Sequence, residues 1–247
     1  MKLAPLLVLL AALLTASPAA AQETIYNVIL GKPVDRGEVF TNEQLTLNRE
    51  VMSDLYVVYG LGLGADAGLA LLNVDFTSSA RGTPKLETVA SPGDDPLAPI
   101  LAPTLFKRFE VHETLGVGLS TQTGVGLSSH PHLATLSSAS MTLRWPRSDY
   151  RLVGGVYYGN RGRLGGEHGD VGWWAGAELA LVDKKIHLEA EFISGHHSLS
   201  NFIVGPKMFF TDDVDLSIGV LLPAPGSGNP QAMVLQFEVE DVLSHRH

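Results

Sequence analysis

The side chains able to do chemistry sit late in the chain. Glu178, His187, Glu189, Glu191, Lys207 and Asp215 are spread over four consecutive segments in which polar and apolar residues alternate. A period of two is the mark of a strand with one polar and one apolar face, so these side chains share the polar face. Paired strands bring such residues together, and two outcomes follow. A ring of acids around a passage favours cations or neutral polar solutes. The same charges, paired around Lys207, would instead fill the interior. Asp75, Arg144 and Glu238 occupy the same face of their own segments, together with Asn73, Gln122, Ser140, Thr142 and Gln236.

A second constellation lies in Gly195-His196-His197-Ser198-Leu199-Ser200-Asn201. A histidine there could act as base to a serine, oriented by Glu189 or Glu191 from the preceding segment, which is the logic of a lipid hydrolase. The plainer reading is a polar loop. His130 and His132 would join His196 and His197 in a metal site only if their loops meet, and the chain has no cysteine to complete one. Arg161 and Arg163, in a glycine-rich loop, have the chemistry to touch lipopolysaccharide phosphates, although an ordinary solvated loop is the favoured reading. Gly60-Leu61-Gly62-Leu63-Gly64 looks like a nucleotide loop but lacks a surrounding βαβ unit. No cofactor is expected.

The elements that carry these residues read as strands. Ile186 to Phe192, Val214 to Val220 and Met233 to Val239 alternate most cleanly. Earlier segments follow the same rule, from Glu38–Glu50, the better candidate for the first barrel strand, and Asp54–Leu61 and Leu69–Thr77, around a turn at Gly62 to Asp66, through Thr104–Glu110, Leu115–Gln122, Leu133–Trp145, Arg151–Tyr158 and Val171–Leu181. Leu199–Phe210 completes a series of about twelve, an even number, as single-chain membrane barrels have. Connections near Gly64, His112, Arg147, Asp183 and Asp212 are short. Those at Ser78, Ser129, Arg161, His196 and Gly226 are longer, Ser78 to Pro103 most of all. Short turns at one end and longer loops at the other are the asymmetry of outer-membrane barrels, and this arrangement puts both termini in the periplasm. The predicted fold class is all-β: a closed antiparallel up-and-down transmembrane barrel over residues 38–239. Trp145, Tyr150, Tyr157, Tyr158, Trp173, Trp174, Phe192, Phe209 and Phe210 fall near predicted strand ends, where girdles belong.

The first 22 residues read as a Sec signal, with Met1-Lys2, an apolar run from Leu3 to Leu14 and small residues at Ala19 to Ala21. Residues 23–37 read as a periplasmic segment or the first strand, and 240–247 as a polar tail. An exported chain without cysteine is not held by disulfides. The net charge of −9 argues against nucleic acid as a partner. After the signal no apolar run is long enough for a transmembrane helix, so any membrane crossing is made by strands.

Tyr59-Gly60-Leu61-Gly62 before a tight turn, the repeated hairpins, and Phe192-Ile193-Ser194-Gly195 before a paired strand resemble small Gram-negative outer-membrane channels. The chain is similar, from about Met52 to Val239, to the barrel family called MetA-pathway of phenol degradation. That resemblance implies passive passage of small, often aromatic or hydrophobic, solutes, with outer-membrane lipid, lipopolysaccharide and the barrel assembly machinery as partners. A departure is that Phe237 is followed by a polar tail where such barrels end on an aromatic. A lipid A deacylase-like enzyme, or a closed structural or adhesion barrel with partner-binding loops, are the alternatives.

Overall fold

The computed structural model describes residues 24–29, 34–76, 99–127, 131–145, 148–165, 169–182 and 185–240. The predicted signal, most of the Ser78–Pro103 loop, His130 and the tail beyond Glu240 lie outside the described residues.

Alternation is carried into the fold as a closed twelve-stranded antiparallel barrel. Two short strands, β1 (Thr24–Ile25) and β2 (Val28–Ile29), come first. The wall then runs β3 (Val39–Leu47), β4 (Val51–Gly62), β5 (Ala65–Asp75), β6 (Ile100–His112), β7 (Leu115–Gly126), β8 (His132–Trp145) and β9 (Tyr150–Gly159). A one-turn helix, α1 (Arg161–Leu164), leads to β10 (Asp170–Val182), β11 (Ile186–Ile193), β12 (Asn201–Phe209), β13 (Val214–Pro223) and β14 (Ala232–Val239). Each wall strand pairs with its sequence neighbours. Closure is made by β14 against β3, in register from Met233 opposite Leu47 to Val239 opposite Thr41. A closed sheet leaves no unpaired edge, which is the condition for strands to stand in hydrocarbon.

Side chains sort by parity. On β11, His187, Glu189, Glu191 and Ile193 are buried inside, while Ile186, Leu188, Ala190 and Phe192 face out. Large apolar side chains remain exposed around the outside, among them Val57, Leu69, Leu105, Leu119, Met141, Val156, Leu179, Val220 and Phe237. An apolar shell of this extent suits lipid and not water. Parity also splits the aromatic pairs: Tyr158 and Trp173 face out, whereas Tyr157 and Trp174 are buried inside and Phe209 packs against the inward-facing His187 and Lys207, so three of the predicted girdle residues belong to the lumen.

Three local readings are corrected. The β4–β5 turn is only Leu63-Gly64, with positive φ at Gly62, Leu63 and Gly64, and Asp66 lies in β5. Strand β6 starts at Ile100, so Pro103 is a wall residue and not part of a loop. Pro103 is tolerated because the β6–β7 ladder is interrupted there, passing from Leu101 opposite Val125 to Thr104 opposite Gln122. The β12–β13 ladder is likewise interrupted at Gly205-Pro206. Finally, the N-terminal segment is not in the wall. Ile25 and Tyr26 are buried with the inward-facing Tyr157, Trp174, Ile203 and Val234, so the β1–β2 hairpin stands inside the barrel and the first wall strand is β3.

Candidate functional site

The lumen divides into two halves. On β10 to β14 the sequence supplies acids at inward positions, and the barrel register stacks them. Lys207 on β12 sits at the centre, its Nζ 2.6 Å from Glu238 Oε2, 3.4 Å from Asp215 Oδ1 and 3.7 Å from Glu189 Oε1. Glu238 also accepts from Asn42 Nδ2 at 3.0 Å and Gln236 Nε2 at 2.7 Å. Ser217 Oγ donates to Glu189 at 2.7 Å. Glu178 bonds His187 Nδ1 and lies 3.8 Å from Arg151 Nη1. All of these lumen acids, with Lys207, are essentially inaccessible. Buried charges are costly unless paired, and each of these acids lies within ion-pair distance of Lys207, His187 or Arg151.

Glu191, one turn of the ladder further, does something different. Its two oxygens accept from the Asn27 backbone N–H at 2.9 Å and from Asn27 Nδ2 at 3.0 Å, while Gln44 Nε2 donates to Asn27 Oδ1 at 3.3 Å. The wall thus grips the tip of the β1–β2 hairpin. Gly176 and Gly219 make room, because a Cβ at either would meet Ile25 or Tyr26.

Of the sequence candidates, Glu178, His187, Glu189, Lys207, Asp215 and Glu238 come together as one network, and Glu191 holds the hairpin. Asp75 stands at the far end of β5 and Arg144 on β8, four strands around the wall from Lys207. The network is a packed interior and not an open charged ring.

The other half, along β4 to β8, is lined by small side chains. Ser120 and Ser138 share a hydrogen bond of 2.7 Å, and the inward positions of β7 are Gly116, Gly118, Ser120, Gln122, Gly124 and Gly126. Here lies a cavity of about 120 Å³, bounded by Tyr56, Phe106, Gln122, Ser138 and Trp174, with Tyr26 of the hairpin and Arg163 of α1. Asp66 also faces it. The sequence carried a signal for Asp66, since Asp66, Gly68, Ala70 and Leu72 continue the inward parity of β5. Nothing in the sequence marked Arg163 or the hairpin as lumen residues.

At the end opposite the short turns, the described loop residues are tied to one another and to the wall. Asn160 caps α1, its Oδ1 accepting from Arg163 N at 3.1 Å, and also bonds Thr135 N at 2.9 Å and Leu133 O at 2.9 Å. Arg163 turns inward, hydrogen-bonded to Tyr56 and facing Asp54, and so is not available to surface phosphates. The Leu164 carbonyl accepts from Ser198 N at 3.0 Å and Ser198 Oγ at 2.7 Å. Asn229 Nδ2 reaches the carbonyls of His197, Ser198 and Ser200 at 2.9 to 3.0 Å.

The His197 ring is held by partners other than a serine hydroxyl. Tyr157 O–H donates to the Ser194 carbonyl at 2.5 Å, and Leu199 N donates to His197 Nδ1 at 3.2 Å. The 2.5 Å contact between Tyr157 Oη and His197 Nε2 therefore needs Nε2–H as donor. Both ring nitrogens are committed, and Ser198 Oγ donates to the Leu164 carbonyl, so His197 and Ser198 are not paired with each other. Burial lowers the His197 imidazole below its usual range; Asp170 opposes this, and Arg163 and His196 add to it. Among the described residues no group of three acid or histidine side chains converges as a metal site.

No family model matches the chain, and no curated protein matches it. Among solved structures it is similar to the COG4313 outer membrane channel from Pseudomonas putida F1, at 13% identity and a TM-score of 0.48, over 92% of this chain and 99% of that one.

Proposed function

We propose that the protein is an outer-membrane β-barrel channel for passive passage of small solutes, with no chemical step. The observation that carries this reading is a closed barrel with an apolar exterior whose interior holds a cavity beside a fixed ion network. The path runs along the β4 to β8 side, where serines, threonines and glycines leave room. The network on β10 to β14 keeps the opposite wall rigid. Mixed apolar and hydroxyl lining suits small solutes of intermediate polarity, including hydrophobic or aromatic ones. The short turns and both termini face the periplasm, as in other barrels of this build. The β1–β2 hairpin narrows the path, so resting conductance is low.

Single-channel recording of the refolded, heat-modifiable protein in a planar bilayer is the test. Small discrete steps are expected. A folded barrel that never conducts, with or without the hairpin, would sink the reading.

A further inference from the structure

We propose that the lumen cavity is a binding site for a small organic ammonium, held by Asp66 beside the Phe106 ring. The proposal rests on the reading of the lumen as a solute path and names the class of solute.

Asp66 is 1% exposed. Its Oδ1 accepts from Val34 N at 3.1 Å, while Oδ2 is buried with no hydrogen-bond partner, and the residue borders the cavity. No lysine or arginine among the described residues pairs with it. A buried carboxylate with a free oxygen is costly unless a cation meets it. Arg163, the cation bordering the same cavity, is already hydrogen-bonded to Tyr56 and faces Asp54, so the surplus charge of the cavity is negative. A second acceptor, Gln122 Oε1, is also buried and without a partner.

The register completes the site. Asp66 stands directly between Gly60 on β4 and Phe106 on β6, so a cation at Oδ2 meets the neighbouring aromatic ring. Tyr56 and Trp174 add apolar wall. A bare metal ion would want several converging oxygens, and such a group is absent among the described residues. An ammonium needs fewer acceptors and uses the apolar wall for its carbon chain. The size is set by the volume: about 120 Å³, against the roughly 150 Å³ cavity that takes benzene, so the ligand has about four to seven heavy atoms.

The experiment is titration calorimetry on the detergent-folded full-length protein at neutral pH and low salt, with n-butylammonium, n-butanol, butyrate and sodium chloride as probes. Butylammonium is expected to bind saturably, at least tenfold tighter than butanol, with butyrate and sodium ion giving no saturable heat. Asp66→Asn keeps an acceptor for Val34 and should abolish the preference; Asp66→Glu should retain part of it. Phe106→Leu leaves the carboxylate and should lower the butylammonium-to-butanol ratio about threefold, which keeps the test alive if Asp66→Asn does not fold. Equal binding of butanol and butylammonium, or a preference that survives Asp66→Asn, would overturn the proposal, as would no binding. Sodium ion competing with butylammonium for the same site would also overturn it. The assay needs no conductance. Binding without conduction would remove the channel and leave the site, and conduction without binding would do the reverse.

Discussion

Lys207 shows what a single side chain can hold. Three carboxylates lie within ion-pair distance of its ammonium, all of them buried. Lys207→Met removes the charge common to them and leaves the acids in mutual repulsion. The expected cost is about 3–5 kcal/mol, read as a lower urea midpoint for the loss of heat-modifiable migration. His197 makes a second prediction. Its folded pKa lies below the ordinary value of 6.5, chiefly because of burial. The folded loop therefore takes up its proton at a lower pH than the unfolded chain does. The stability that neutral His197 contributes is complete above pH 6.5 and is lost as pH falls through the folded value. Protonation would also set Nδ1–H against the Leu199 N–H. Amide exchange at Leu199 should accelerate on acidification, and His197→Ala should make it fast at all pH values. An exchange rate independent of pH, once corrected for intrinsic chemistry, would refute this.

At the scale of elements, the β1–β2 hairpin is the piece that sets the free lumen. It is anchored by hydrogen bonds to Glu191 and Gln44 and by the packing of Ile25 and Tyr26. Deleting residues 24–29 is expected to raise single-channel conductance severalfold while the barrel still migrates as a folded species. Unchanged conductance would mean that the hairpin does not obstruct the path. Strand pairing makes a sharper demand at Gly205. A side chain there would collide with the Ile218 carbonyl oxygen, because β12 and β13 approach closely where Pro206 interrupts their ladder. Gly205→Val should prevent the heat-modifiable form from appearing, since backbone and not a flexible side chain would have to move. The same substitution at Gly154, whose nearest obstacle is Trp174 O at 3.7 Å, should be tolerated.

For the whole molecule the governing fact is an outside that is apolar on strand after strand around a polar inside. That inversion of a water-soluble protein requires lipid or detergent around the wall. Leu119 lies near the middle of β7 and is 49% exposed. Leu119→Arg is expected to destabilise the folded barrel by about 2–4 kcal/mol in a bilayer, measured as the shift in folding free energy into lipid vesicles. An effect near zero would mean that this surface does not meet hydrocarbon.

Much of this was legible in the chain as written. Alternation along β11, β13 and β14 fixes which side chains share a face, because a strand turns each successive residue to the opposite side. That local rule yielded the all-β class, the even series of strands, the alternation of short and long connections, and the inward set from Glu178 to Glu238. It could not say whether those acids surround water or pair around Lys207, since that depends on barrel radius and register, which are properties of the closed sheet. Nor could it find the occupant of the lumen. Ile25 and Tyr26 read locally like one more strand, and only the space left by Gly176 and Gly219 on distant strands admits them to the interior. Arg163 was an arginine in a glycine-rich loop until α1 turned it toward Tyr56. The sequence determined the faces; the closure of the sheet decided what they enclose.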